Sequence, residues 1–375
     1  MPFNPLLHGM RGLAALTVLL YHWASTYPRA AAAYKEVPFL GTEWNLFLFV
    51  WLGWNGVQWF FVLSGYLLAS KLLHDLTTAN ARTIVHFWQR RALRIYPGVW
   101  LQLCLLLPFS WWVGLAPDYE WKAVLANFLL WPEPMPGGVA FYTGVYWTLP
   151  LELSFYLLLP FIVLLHRRIG FWNVMALALL ISLAWRFGIV WLNETGRADI
   201  ALPRMRGLLP GVILVFMAGY AITRFPQHIS DRTRYGLLAV ALAVYVVWHQ
   251  TLMAFSQTLP KTHWFMVSWD LVLGLLIALI IALMLKPLAP WRWMGSRPLV
   301  WLGDMSFGIY LWHWPVLRQM RKLVPGHWNT VEGSWLALLL CLAVTLPLAM
   351  LSYRFVEKPA LDWIARRQRA TLAPA

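Results

Sequence analysis

The chain has 375 residues, of which 60% are hydrophobic and 12% charged, with a formal net charge of +15. An ordinary soluble domain carries about 25% charged residues, so the composition excludes a water-soluble globule and points to a membrane protein. The basic residues sit in short loops between apolar runs, where the positive-inside rule places them, which argues against a nucleic-acid partner.

Apolar runs of about 20 residues, the length that crosses a bilayer, fall near 6–27, 53–73, 95–115, 146–165, 171–192, 207–223, 236–256, 266–285, 299–317 and 334–353. They predict an all-α polytopic bundle of about ten transmembrane helices. With the N-terminus inside, the inner segments carry about twice as many Lys and Arg residues as the outer ones, so both termini are expected in the cytoplasm. Residues 1–354 are read as the transmembrane domain and 355–375 as a short basic cytoplasmic tail. One cluster, Arg318, Arg321 and Lys322, falls in a loop that this topology puts outside, against the rule.

The first span carries Arg11 and His22. An ionisable residue inside a bilayer is costly and is a functional candidate by default. Eleven residues on a helix are about three turns, or about 16 Å, along nearly one face. An imidazole can take the proton of a hydroxyl, and a guanidinium can hold a phosphate or an oxyanion; a snorkelling arginine and a packed histidine are the other reading. Segment 28–52, rich in Trp and Gly, is expected to hold an interfacial or re-entrant helix, as is Trp121–Trp131.

In the second span, Phe60-Phe-Val-Leu-Ser-Gly-Tyr66 offers Gly65 for close helix approach. Ser64 lacks a nucleophile-elbow context and reads as a packing residue rather than a nucleophile. Arg90, Arg91 and Arg94 precede the third span and suit phosphate groups, or simply mark the inner face. The fourth span opens with Trp147 and carries Glu152 and Tyr156; Glu152 either orients His22 or pairs with an arginine.

Asp270, in the eighth span, either binds a sugar hydroxyl or caps a helix, with Arg186 as a candidate partner. In the ninth span Asp304, Ser306, Tyr310 and His313 are polar positions, and His313 is either a second acid/base or a satisfied buried imidazole. The 26 Trp residues suit both the membrane–water interface and the faces of sugar rings. Cys104 and Cys341 both lie in apolar runs, which supports neither a disulfide framework nor a Cys-based zinc site. There is no Gly-Lys-Ser/Thr phosphate loop, no His-Glu-x-x-His and no Gly-x-Ser-x-Gly; the sequence gives no sign of a metal.

Taken in order, Arg11 with His22, Phe60–Leu67, Arg90–Pro97, Trp147–Tyr156 and Ser306–Pro315 together resemble the acyltransferase-3 family of membrane O-acyltransferases. The resemblance implies an acyl-CoA donor, usually acetyl-CoA, reached from the cytoplasm of a bacterial inner membrane. It implies an acceptor hydroxyl on a surface or secreted glycan or glycolipid, with exopolysaccharide and lipopolysaccharide ranked first. Carried over, it makes Arg11 and His22 the catalytic pair and Glu152 the supporting acid. Arg11, Arg90, Arg91, Arg94, Ser64 and Tyr66 are then expected on the coenzyme A side, and Trp147, Tyr156, Asp270 and His313 on the acceptor side. Some members carry an extracytoplasmic hydrolase-like domain; here transfer is expected to be direct or to use a separate partner. The alternative reading is a transporter or flippase of a lipid-linked glycan, since intramembrane charges also suit a substrate path.

Overall fold

The computed structural model describes residues 4–34, 37–39, 42–45, 47–75, 81–115, 120–131, 141–196, 208–226, 228–256 and 258–370. The longer helices are α1 (Pro5–Thr26), α2 (Gly56–Asp75), α3 (Ala81–Trp112), α4 (Thr148–Ile169), α5 (Phe171–Glu194), α6 (Leu209–Ala221), α7 (Asp231–Phe255), α8 (Trp264–Met284), α9 (Arg297–Asp304), α10 (Ser306–Leu323), α11 (Val331–Ser352) and α12 (Lys358–Ala370). Between α1 and α2 lie short helices at Pro28–Ala33 and Leu48–Trp51 and a hairpin of two three-residue strands. A further short helix, Trp121–Leu129, stands where an interfacial element was expected, and ends on Leu130 in a left-handed conformation.

Among the described residues, seven helical stretches are long and apolar enough to cross a membrane. They coincide with seven of the ten runs read from the sequence. The other three runs are helical too, but differ for a physical reason. Helix α6 has only 13 residues, about 20 Å of rise, and eleven of them are buried. Helices α1 and α10 carry charged and imidazole side chains, so their hydropathy is diluted; His313 of α10 is buried and His8, Arg11 and His22 of α1 are half-buried, while Arg318, Arg321 and Lys322 at the end of α10 are exposed.

Two boundaries moved. Helix α3 begins at Ala81, so Arg90, Arg91 and Arg94 lie on the helix and not ahead of it. The predicted ninth span breaks at Met305, and α10 then continues to Leu323, carrying Arg318, Arg321 and Lys322 on its last turns. Pro315 does not end it. Pro315 has no N–H to give the Leu311 carbonyl, and the side chain of Gln102 donates to that carbonyl at 2.5 Å. The hydroxyl of Tyr146 in turn donates to the other end of the Gln102 amide at 2.5 Å. At the C-terminal end, α11 runs through a π-turn at Tyr353–Glu357 directly into α12.

The chain divides into two compact units. The first comprises Met1–Leu7, Gln58–Ile84 and Leu151–Ser296. Its centre is α6, whose Phe216 ring stacks on Phe61 and on Phe155 with centroids 4.5 and 4.3 Å apart. Helix α2 crosses α6 at two glycines: a Cβ on Gly65 would overlap the Phe216 carbonyl, and one on Gly219 the Val62 carbonyl. The close approach anticipated for Gly65 is therefore present, with Gly219 as its counterpart. Because backbone, not a flexible side chain, stands in the way, Gly219→Ala is expected to destabilise the protein by about 1–3 kcal/mol, read as a lower midpoint of thermal unfolding in detergent.

The second unit comprises His8–Val57, Val85–Pro150 and Arg297–Ala375. Here α1 lies beside α9 and α10. His8 meets Asp304 (Nδ1 to Oδ1, 3.0 Å), His22 meets His313 (2.8 Å), and the Tyr27 hydroxyl donates to the Leu317 carbonyl at 2.7 Å. Residue numbers rise together along these contacts, so the two strips of helix run parallel. Trp23 ties α1 to α11 through its indole N–H, which donates to the Ser334 carbonyl at 2.7 Å.

Candidate active site

The centre of the second unit is the pair His22 and His313. Nδ1 of His22 lies 2.8 Å from Nε2 of His313, and the rings stack at 5.1 Å with a 23° interplanar angle. His313 is fully buried. Its Nδ1 sits 2.9 Å from the carbonyl of Ile309, one turn back on α10. A carbonyl only accepts, so this nitrogen carries the hydrogen. In neutral His313 the Nε2 is then the acceptor, and His22 must donate from Nδ1. That leaves Nε2 of His22 with a free lone pair, the state a general base requires. The partner of His22 Nδ1 is thus His313.

Trp314 and Tyr310 gather at this pair. The Trp314 indole stands edge-on to His22 with centroids 4.7 Å apart. Its Nε1 is buried and has no hydrogen-bond partner among the described residues, and the same holds for Oγ1 of Thr143. Gly144 explains the room beside the indole, because a Cβ there would come within 2.9 Å of Trp314 Nε1. Tyr310 donates its hydroxyl to the Val145 carbonyl at 2.7 Å and meets Thr148 Oγ1 at 2.8 Å, which holds the Gly144–Trp147 turn against α10. A buried donor without a partner is costly, and here it stands beside an imidazole whose tautomer leaves it able to accept a proton.

A second cluster lies toward the start of α1. Arg94 pairs with Glu357 at 3.3 Å, and Ser352 donates its hydroxyl to the same carboxylate at 3.0 Å. The Glu357 side chain is 1% exposed, so it is held in place by these partners. The charges of Arg11 and Arg94 both act on Glu357 and on His8. Side chains on an α-helix lean toward its N-terminus, so Arg11 leans away from His22 and into this cluster. Arg90 bonds Gln368 on α12, Arg91 lies over the Phe87 ring and Arg94 over the Phe307 ring. Asp304, whose role the sequence left open, is the partner of His8.

Of the remaining expected site residues, Trp147 closes the Gly144–Trp147 turn and is about half exposed, at 48%. Ser64 and Tyr66 lie on α2 in the first unit. There too, Tyr156 donates its hydroxyl to Glu152 at 2.6 Å, one turn apart on α4. Both carboxylate oxygens of Asp270 are taken by Arg186, one of them at 2.8 Å. Sequence reasoning passed over Trp314, Thr143, Gln102 and Glu357. Trp314 adjoins His313 in Trp-His-Trp-Pro, but in a chain with 26 Trp residues an indole carries little signal. Among the described residues there is no group of three or more His, Cys, Asp or Glu placed to hold a metal ion.

Comparison with known proteins gives the family of the chain. A family model described as an acyltransferase domain matches residues 4–354. The O-acetyltransferase OatA of Staphylococcus aureus is 24% identical over 394 residues, covering 95% of this chain and 57% of the relative. The peptidoglycan O-acetyltransferase OatA of Listeria monocytogenes is 24% identical over 388 residues, covering 95% and 56%. The chain thus spans a little over half the length of these curated relatives. No solved structure matches it.

Proposed function

The chain belongs to the acyltransferase-3 family, an integral membrane acyltransferase domain, and on that premise we propose that it moves an acetyl group from acetyl-CoA onto a glycan hydroxyl at His22. The observation that carries this reading is the His22–His313 contact, which leaves a basic nitrogen beside an unpartnered indole N–H.

Nε2 of His22 removes the proton of the acceptor hydroxyl as its oxygen attacks the thioester carbonyl. The tetrahedral intermediate places negative charge on the former carbonyl oxygen, and the Trp314 N–H, unpartnered beside His22, donates to it in this reading. Collapse breaks the carbon–sulfur bond, and the departing thiolate takes the proton from the His22 imidazolium. His313 is a positioning residue, holding His22 in the required tautomer. Arg11, Arg91 and Arg94 hold the phosphate end of the donor about three helical turns away, about 16 Å along α1. The parallel run of α1 and α10 supports donor entry at one end of this axis and acceptor entry at the other. With the basic N-terminal side in the cytoplasm, the donor end faces the acyl-CoA pool and both termini are cytoplasmic, in a bacterial inner membrane. The acceptor is a surface or secreted glycan, and the printed name of the Listeria relative makes peptidoglycan a candidate beside exopolysaccharide and lipopolysaccharide.

The test is release of free thiol from acetyl-CoA by purified protein in nanodiscs, across a panel of glycans. Acceptor-dependent release is expected. Absence of release with every donor and acceptor, from protein shown to be folded, would instead favour glycan transport. Within the same assay, Trp314→Phe keeps the ring and removes the donor. Turnover is expected to fall about 10²- to 10³-fold while the apparent KM for acetyl-CoA changes little.

A further inference from the structure

Beyond His22, α1 ends at a cavity of about 430 Å³ lined by Tyr27, Arg29, Arg321, Trp328 and Asn329, among others. It belongs to the same unit as the histidine pair. Its first lining residue, Thr26, is one helical turn past His22 on α1, and Arg321 is about two turns past His313 on α10. Since the two helices run parallel, the cavity opens at the end of the axis opposite Arg11 and Arg94.

Two kinds of group line it. Tyr27 and Trp328 pack edge to face at 5.7 Å, and both are buried, at 1% and 9% exposure. Arg29 and Arg321 supply two guanidinium groups, and no acidic side chain is among the described residues that line the cavity. Arg321 donates to the Thr26 carbonyl at 3.2 Å. This bond fixes its planar head against the end of α1 and uses one of five N–H groups.

These cations stand where the positive-inside rule does not want them. Arg318, Arg321 and Lys322 are the cluster that the sequence places on the outer side; the structure sets all three on the last turns of α10, and Arg321 shares the cavity wall with Arg29. Topology does not account for them. A ligand would: a guanidinium fork suits a carboxylate or phosphate, and a wall that includes the Tyr27 and Trp328 rings beside polar groups suits the mixed surface of a sugar.

We infer that this cavity is the acceptor subsite and that it selects an anionic saccharide, one bearing a carboxylate or phosphate group held by Arg29 and Arg321. The inference rests on the acyltransferase reading for the word acceptor, while the binding it asserts stands apart from catalysis.

The experiment measures equilibrium binding of two probes, tetragalacturonate and uncharged tetragalactose, to purified protein in phosphatidylcholine nanodiscs. Wild type is expected to bind the charged probe about tenfold or more tightly than the neutral one, and the preference to weaken with added salt. Arg29→Gln with Arg321→Gln should abolish the preference while leaving the thermal unfolding midpoint unchanged, and Trp328→Ala should weaken both probes. Equal binding of the two probes by wild type, or a preference that survives in the double variant, would overturn the proposal. So would loss of the charged probe when phosphatidylglycerol is added at constant ionic strength, which would make the cavity a lipid headgroup site. His22→Ala should bind the charged probe like wild type. If it does so while wild type fails to transfer acetyl, the cavity stands and the acyltransferase reading falls.

Discussion

Replacing His22 by Gln is expected to lower acetyl transfer by about 10²- to 10⁴-fold, the range that a positioned acid/base contributes, in a protein that still folds. Glutamine keeps a polar group in reach of His313, so the buried imidazole of α10 is not left without a partner. What it lacks is a nitrogen able to take and return a proton. His313→Phe tests the other half of the pair. Its ring fills the space, but Nδ1 of His22 loses its acceptor and the tautomer is no longer fixed, so turnover should fall with a smaller change in the KM for acetyl-CoA. Turnover equal to wild type in His22→Gln would remove the histidine from the chemistry.

The largest expected effect on stability is at Arg186. This side chain is 2% exposed, grips Asp270 through two nitrogens, and donates to the carbonyls of Gly211 and Val267, the latter at 2.6 Å. One residue on α5 thereby ties α6 to α8. Removing either partner strands the other as a buried charge, so Arg186→Ala or Asp270→Ala is expected to cost about 3–5 kcal/mol, seen as a lower unfolding midpoint and loss of the monodisperse peak on size exclusion. Replacing both with leucine removes both charges and should restore much of the stability. If Asp270→Ala instead folds like wild type and loses only glycan affinity, then Asp270 serves the acceptor and not the fold.

Hydropathy located the helices because a bilayer imposes a length and a polarity on whatever crosses it. It was weakest for α1 and α10, and for an informative reason: the polar residues that dilute their apolar character include those at the histidine pair, at the Arg94–Glu357 cluster and, through Arg321, at the far cavity. The helical spacing of Arg11 and His22 was legible, and so was the separation it imposes, since both lie on one unbroken helix. The contact of His22 with His313 was not legible, because 291 residues separate them and no local rule links them. Glu357 was read as part of a tail, since nothing in the pattern announces a π-turn that carries α11 into α12. The Arg90, Arg91 and Arg94 triplet was seen but placed ahead of its helix, because apolar content begins only after it. That α10 runs on to Leu323 past Pro315 was not legible either, because the donor that satisfies the Leu311 carbonyl is Gln102, from another helix.

The account is tested most directly by incubating the reconstituted protein with isotopically labelled acetyl-CoA and a carboxylated glycan acceptor, then measuring the mass of the glycan. It predicts a labelled acetyl ester on the glycan with wild type and none above background with His22→Gln. Labelled ester formed at the wild-type rate by His22→Gln would contradict it.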